Sequence, residues 1–130
     1  MQFLMERLIN RSEPDMGQAP AFDPIAAVAA QIQRIVECRP YVAARLARVC
    51  DFGMPPIVDT GIGLTEHERY GARLLAAITR FEPRLCAPRL EWLATGKSLR
   101  PYALVVHGSV QIEDEPSAFR FELPYLDNLA

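Results

Sequence analysis

Phe81-Glu82-Pro83-Arg84-Leu85-Cys86-Ala87-Pro88-Arg89-Leu90 (FEPRLCAPRL, residues 81–90) is where the chain changes its hydrophobic period. Upstream, Tyr70, Leu74, Ala77, Ile78 and Phe81 recur at helical spacing, and Thr65-x-x-Glu68 reads as a capping box opening that helix. Pro83 clashes with helical geometry at the residue before it, so the helix is predicted to stop at Glu82. Downstream the period is two. Leu90 and Trp92 alternate with Arg89 and Glu91; Tyr102, Leu104, Val106, Val110 and Ile112 share one face, with His107, Ser109, Gln111 and Glu113 on the other. Phe119, Phe121 and Leu123 alternate with Arg120 and Glu122 in the same way. Connections as short as ATGKS (94–98) and DEPS (114–117) imply antiparallel neighbours. The expected fold class is α+β, with amino-terminal helices packed on a small antiparallel sheet formed by the carboxyl-terminal strand meander.

The amino-terminal half supplies the rest of the helical layer. Asp23-Pro24 reads as an N-cap followed by a proline at the first helical position, and Ile25, Val28, Ala29, Ile32, Ile35 and Val36 form an apolar stripe. This helix is predicted to run to about Cys38 and to stop at Arg39-Pro40. A second, shorter helical pattern covers Tyr41 to Val49, and CDFGMPPIVDTGIG (50–63), with three glycines and two prolines, reads as a loop. At the start, Phe3, Leu4 and Leu8 could share one face of a short helix, followed by the proline-containing NRSEPDMGQAPAFDP. Residues 1–21 are therefore read as an arm and linker that orders only against a partner, and 22–130 as one domain.

Composition narrows the function. Half of the 130 residues are hydrophobic, enough for one core. Fourteen basic residues against sixteen acidic ones give a formal net charge of -2, which draws the chain neither to nucleic acid nor to an anionic membrane. Cys38, Cys50 and Cys86 are an odd number without CxxC spacing and read as reduced thiols. Glu6 and Arg7 interrupt the segment where an export signal would need its apolar run, and no stretch approaches the ~20 apolar residues of a membrane span. His67, His107 and the cysteines lack the spacing of metal ligands. No metal or cofactor is expected.

Glu82 is the one residue that raises a catalytic possibility. Glycoside hydrolysis uses two carboxyl groups about 5–9.5 Å apart, one held protonated in an apolar pocket. Arg84, two residues on, favours the charged form instead, and no pattern ties a second carboxylate to Glu82. The simpler reading is that Glu82 and Arg84 make ion pairs or satisfy backbone groups at the helix end. Arg89 and Glu91 read as a solvated pair, His107 as a histidine without a base-orienting partner, and His67 as ordinary surface composition between Glu66 and Glu68. Cys50 and Cys86 read as small core or near-core residues. Phosphate-loop, serine-hydrolase and nucleic-acid signatures are absent.

The order of these features resembles a known family. An arm containing FLMERL (3–8), the aromatic-Gly-Met-Pro loop DFGMPPIVD (51–59), the helix running into FEPRL (81–85) and the terminal strands are similar to TssE. That family comprises type VI secretion baseplate wedge subunits, related to phage baseplate wedge proteins once labelled tail lysozymes. The resemblance spans residues 1–125 and is concentrated from residue 51 onward. It implies a non-enzymatic subunit beside TssF, TssG and TssK that helps to start polymerisation of the TssB–TssC sheath, in a cytoplasmic baseplate docked at the inner membrane complex. The assembly motif it implies is Glu82, Pro83, Arg84 and Leu85. Where the family has a Leu-Leu-Asn-Thr-Arg-like string, this chain has IVECR (35–39), in which only Arg39 matches.

The residues are compatible with that role, because an antiparallel sheet with an open edge can accept a strand from a partner. Two alternatives remain open at this point. One is a peptidoglycan hydrolase associated with such a machine; the other is a soluble adaptor domain.

Overall fold

A computed structural model of the chain describes residues 3–4, 21–39, 52–55, 64–97 and 100–123. Within these residues the order is α1 (Pro24–Glu37), α2 (Leu64–Phe81), β1 (Leu85–Lys97), β2 (Arg100–Ile112) and β3 (Glu115–Glu122). The fold is α+β: two helices precede a three-stranded antiparallel sheet of order β1-β2-β3. The helical pattern at Tyr41–Val49, as well as Leu8 and Cys50, lies outside the described residues.

Both helix ends next to prolines behave as their chemistry requires. Asp23 caps α1, its carboxylate accepting the Ile25 and Ala26 N–H groups at 2.9 and 3.3 Å, and Pro24 occupies the first helical position. α2 ends at Phe81, one residue before Glu82. Its start differs from the capping-box reading: Leu64 is already helical, so Thr65 lies inside the first turn. Capping boxes are defined by a non-helical first residue, a backbone property that residue type alone does not fix.

Val28, Ile32, Ile35 and Val36 of α1 and Tyr70, Leu74 and Ile78 of α2 meet Leu85, Leu104, Val106, Val110 and Phe119 of the sheet in one core. These are the stripes expected from their spacing. Tyr102, expected among them, is 37% exposed at the end of the sheet, and Ala103 and Val105 are buried on the opposite face. Burial pushes the Tyr70 hydroxyl up from its ordinary 10.0 to about 12, with the Arg39 charge pulling it partly back.

Each hairpin departs from the expected break. Ile112 pairs with Glu115, so the connection is Glu113-Asp114 alone, and both residues adopt positive φ (49° and 68°). That is the backbone of a primed two-residue turn, whose twist suits the flanking strands, and DEPS is mostly strand. Lys97 likewise pairs with Arg100, so most of ATGKS belongs to β1. Near its start β1 bulges between Cys86 and Arg89, where Ala87 has φ 47°. Gly108 of β2 lies opposite this bulge, and a Cβ there would stand 2.7 Å from Leu85 Cδ1 and 2.9 Å from the Cys86 carbonyl oxygen. Cys86, expected near the core, is exposed because the bulge carries it there.

Two glycines should respond to alanine with opposite signs. Gly108→Ala is expected to cost about 1–3 kcal/mol through overpacking against the bulge. Gly71→Ala, whose Cβ would meet Trp92 Nε1 at an ordinary 3.5 Å within α2, should add about 0.5–1 kcal/mol. Urea denaturation of both variants checks the pair.

Tyr70 predicts an alkaline loss. Because the fold raises its pKa, its stabilisation is complete below pH 10.0 and lost as pH rises through about 12. Tyr70→Phe should lack this component, so the difference in unfolding free energy between wild type and variant should shrink by up to about 2.5 kcal/mol across that window.

Candidate functional site

The Glu82–Leu85 motif closes a turn around its own proline. The Glu82 N–H completes the helix by donating to the Ile78 carbonyl at 2.8 Å, and the Glu82 carbonyl accepts the Leu85 N–H at 3.2 Å. Pro83 therefore occupies the second position of a four-residue turn, where its fixed φ is favourable and its missing N–H is not needed. Leu85 enters β1 and is 4% exposed, while Pro83 is exposed.

Glu82 itself is 0% exposed. One carboxylate oxygen accepts Arg84 Nε at 2.8 Å and the Arg84 backbone N–H at 3.1 Å; the other accepts Arg84 Nη2 at 2.7 Å. The two side chains thus pair directly, side-on, rather than through neighbouring residues. A carboxylate can be kept in so dry a place because a parallel pair of charge-assisted bonds replaces its hydration. The Arg84 side chain is only 7% exposed.

Three aromatic contacts complete the junction. The Phe3 ring centroid lies 4.1 Å from Arg84 Cζ. Phe81 meets Phe52 edge-on at 5.0 Å and carries Arg80 Cζ at 5.0 Å from its ring. Of the arm, only Phe3, Leu4 and Ala21 lie within the described residues, and Phe3 packs on the chain's own Arg84. Leu4, expected on the same face, is 68% exposed.

The loop bearing Phe52 is tied to the end of α1. Met54 N–H donates to the Cys38 carbonyl at 3.0 Å, and Arg39 Nη1 donates to the carbonyls of Val36 and Met54, each at 3.1 Å. Gly53 has φ 119°, and a Cβ on it would stand 2.4 Å from the Cys38 oxygen, so the close approach requires glycine. The carboxyl ends of both helices are thereby joined through residues 52–54, next to Glu82.

Other polar residues form separate groups. Glu91 pairs with His107 Nε2 at 2.9 Å across the strands, not with Arg89. The register explains the correction: Arg89 stands directly opposite His107, and Glu91 reaches that ring diagonally from opposite Val105. His67 is half-buried rather than simply superficial, its ring edge-on to Trp92 at 4.7 Å and 5.8 Å from Tyr102. Among the described residues, no cluster of three or more His, Cys, Asp or Glu side chains could hold a metal, and no helix is long and apolar enough to cross a membrane.

The fold is similar to that of a Geobacter sulfurreducens protein whose crystal structure bears the name tail lysozyme. The two share 19% identity with a TM-score of 0.51, over 80% of this chain and 91% of that one. No protein-family model matches the sequence, and no curated protein matches it significantly. The likeness establishes the fold.

Arg84→Ala is expected to cost about 3–5 kcal/mol, because it strands a buried carboxylate. Adding Glu82→Gln to that variant should recover part of the loss, since a neutral amide is cheaper to leave in the same place. Denaturant unfolding of the single and double variants measures the difference; equal stabilities would contradict the burial of the charge.

Proposed function

We propose that this protein is a non-enzymatic baseplate subunit of a contractile injection system of the type VI secretion kind, and that it helps to start sheath polymerisation. The observation that carries the reading is the state of Glu82: a fully buried carboxylate with both oxygens bonded to Arg84. A general acid must reach its leaving group, whereas this one is a fastening. The most family-specific string of the sequence is thus a structural joint, as the resemblance to TssE implies. The fold likeness to a protein named tail lysozyme supports a tail or baseplate setting.

The sheet offers a means of assembly. β1 and β3 flank β2, so each has an outer side with no strand partner among the described residues. Such edges accept strands. The expected neighbours are TssF, TssG and TssK in the baseplate and TssB and TssC in the sheath, with the complex on the cytoplasmic side of the inner membrane complex.

The name of the structural neighbour also favours a second reading, a peptidoglycan hydrolase. One comparison separates the two. Purified wild-type protein and Glu82→Gln should both release no muropeptides measurable by chromatography. In cells, Arg84→Lys, which keeps the charge but cannot form the side-on pair, should reduce fluorescent sheaths far more than Arg120→Ala at equal protein levels. Muropeptide release lost on Glu82→Gln would overturn the assembly reading, as would normal sheath counts with Arg84→Lys.

A further inference from the structure

We infer that the outer edge of β3 is self-complementary and seats β3 of a second copy of this chain, so that two sheets join across a two-fold axis. Strand geometry selects the edge. The Leu123 N–H donates to the Leu104 carbonyl at 3.0 Å. Alternation along the antiparallel ladder then turns the main-chain groups of Phe119 and Phe121 toward β2 and those of Ala118, Arg120 and Glu122 outward. These outward residues are exposed, and neither the Arg120 nor the Glu122 side chain has an ion pair or hydrogen bond among the described residues. β3 keeps one register with β2 from Glu115 to Glu122, and the helices pack chiefly over β1 and β2. β1 is the poorer edge, blunted by its bulge between Cys86 and Arg89 and by Pro88.

The sequence of β3 then selects the occupant and the register. Antiparallel self-pairing must set outward main-chain groups against outward groups, so even-numbered residues exchange the hydrogen bonds in both copies. An axis through Arg120 or through Glu122 puts like charges directly opposite each other, which destabilises the pair. An axis through Phe119 leaves both charges unpaired. An axis through Phe121 sets Arg120 against the partner's Glu122 and Glu122 against the partner's Arg120, with main-chain bonds exchanged inside each pair. On the other face Phe121 meets its own copy and Phe119 meets the partner's Leu123; Phe121 and Leu123 are only half-buried in the single chain. Pro116 has no N–H to lengthen the outer ladder. So short an interface belongs to the transient class, below about 1,200 Å², with a dissociation constant on the order of 100 μM. The pair would occupy an edge that the assembly reading offers to a partner strand, but it does not rest on that reading, and the chain alone tests it.

Sedimentation velocity of the purified full-length chain should show a concentration-dependent monomer–dimer equilibrium. Arg120→Glu, which sets carboxylates opposite each other, should weaken it about tenfold, and Arg120→Glu combined with Glu122→Arg should restore it to within about threefold of wild type. Exchange of the wild-type amide protons, followed by NMR, locates the contact without any substitution. Those of Arg120 and Glu122 should exchange roughly fourfold more slowly at about 1 mM chain than at about 20 μM, the ratio of free monomer fractions that such a dissociation constant gives. A chain still monomeric at about 1 mM, ten times that constant, would overturn the inference. So would a dimer in which those two amides are not slowed, or a double variant no tighter than Arg120→Glu.

Discussion

The side-on pair between Glu82 and Arg84 is the constraint from which the rest of the junction follows. It spans one proline and converts a helix end into a strand start within a single turn, so it helps to set the direction of β1 relative to α2. A hydrophobic pair could bury similar area there. It could not hold orientation as tightly, because two parallel charge-assisted bonds fix distance and plane together. The penalty for desolvating both charges is offset by bonding both Glu82 carboxylate oxygens to the same partner.

Around that pair the chain builds a second joint that uses backbone rather than charge. Gly53 lets the loop pass close to the Cys38 carbonyl, and Arg39 clamps the Val36 carbonyl, an acceptor that the helix end leaves open, to that of Met54. Phe52 then touches Phe81. The two helices are thus fastened at one end, beside the turn into the sheet, and their apolar stripes lie together on the face lined by Leu104, Val106, Val110 and Phe119. The bulge opposite Gly108 continues the same logic in β1, re-aiming the strand where it leaves the junction.

Such a joint suits a protein that works by presenting surfaces. A rigid turn can hold a sheet edge at a set angle. The Glu91–His107 pair and the His67–Trp92–Tyr102 group lie apart from these elements in the strand register or on α2 and add local contacts there.

The elements of this fold were legible in the sequence because they rest on short-range chemistry. Asp23-Pro24 announced a helix start, Pro83 a helix end, and the change from period 3.6 to period 2 the order of helix and sheet. Glu82 and Arg84 could also be recognised as a motif, being two residues apart. What sequence left open is what depends on register and on distant partners. The primed turn at Glu113-Asp114 contains no glycine, so its usual signal was missing. The exposure of Cys86 came from a bulge, and Glu91 found His107 rather than Arg89 because pairing across strands follows their alignment. Phe3 on Arg84 joins residues with no periodic relation at all. Local periodicity and backbone stereochemistry determine which segments are helices and strands; only the tertiary structure decides which side chains meet, because those meetings depend on the relative placement of whole elements.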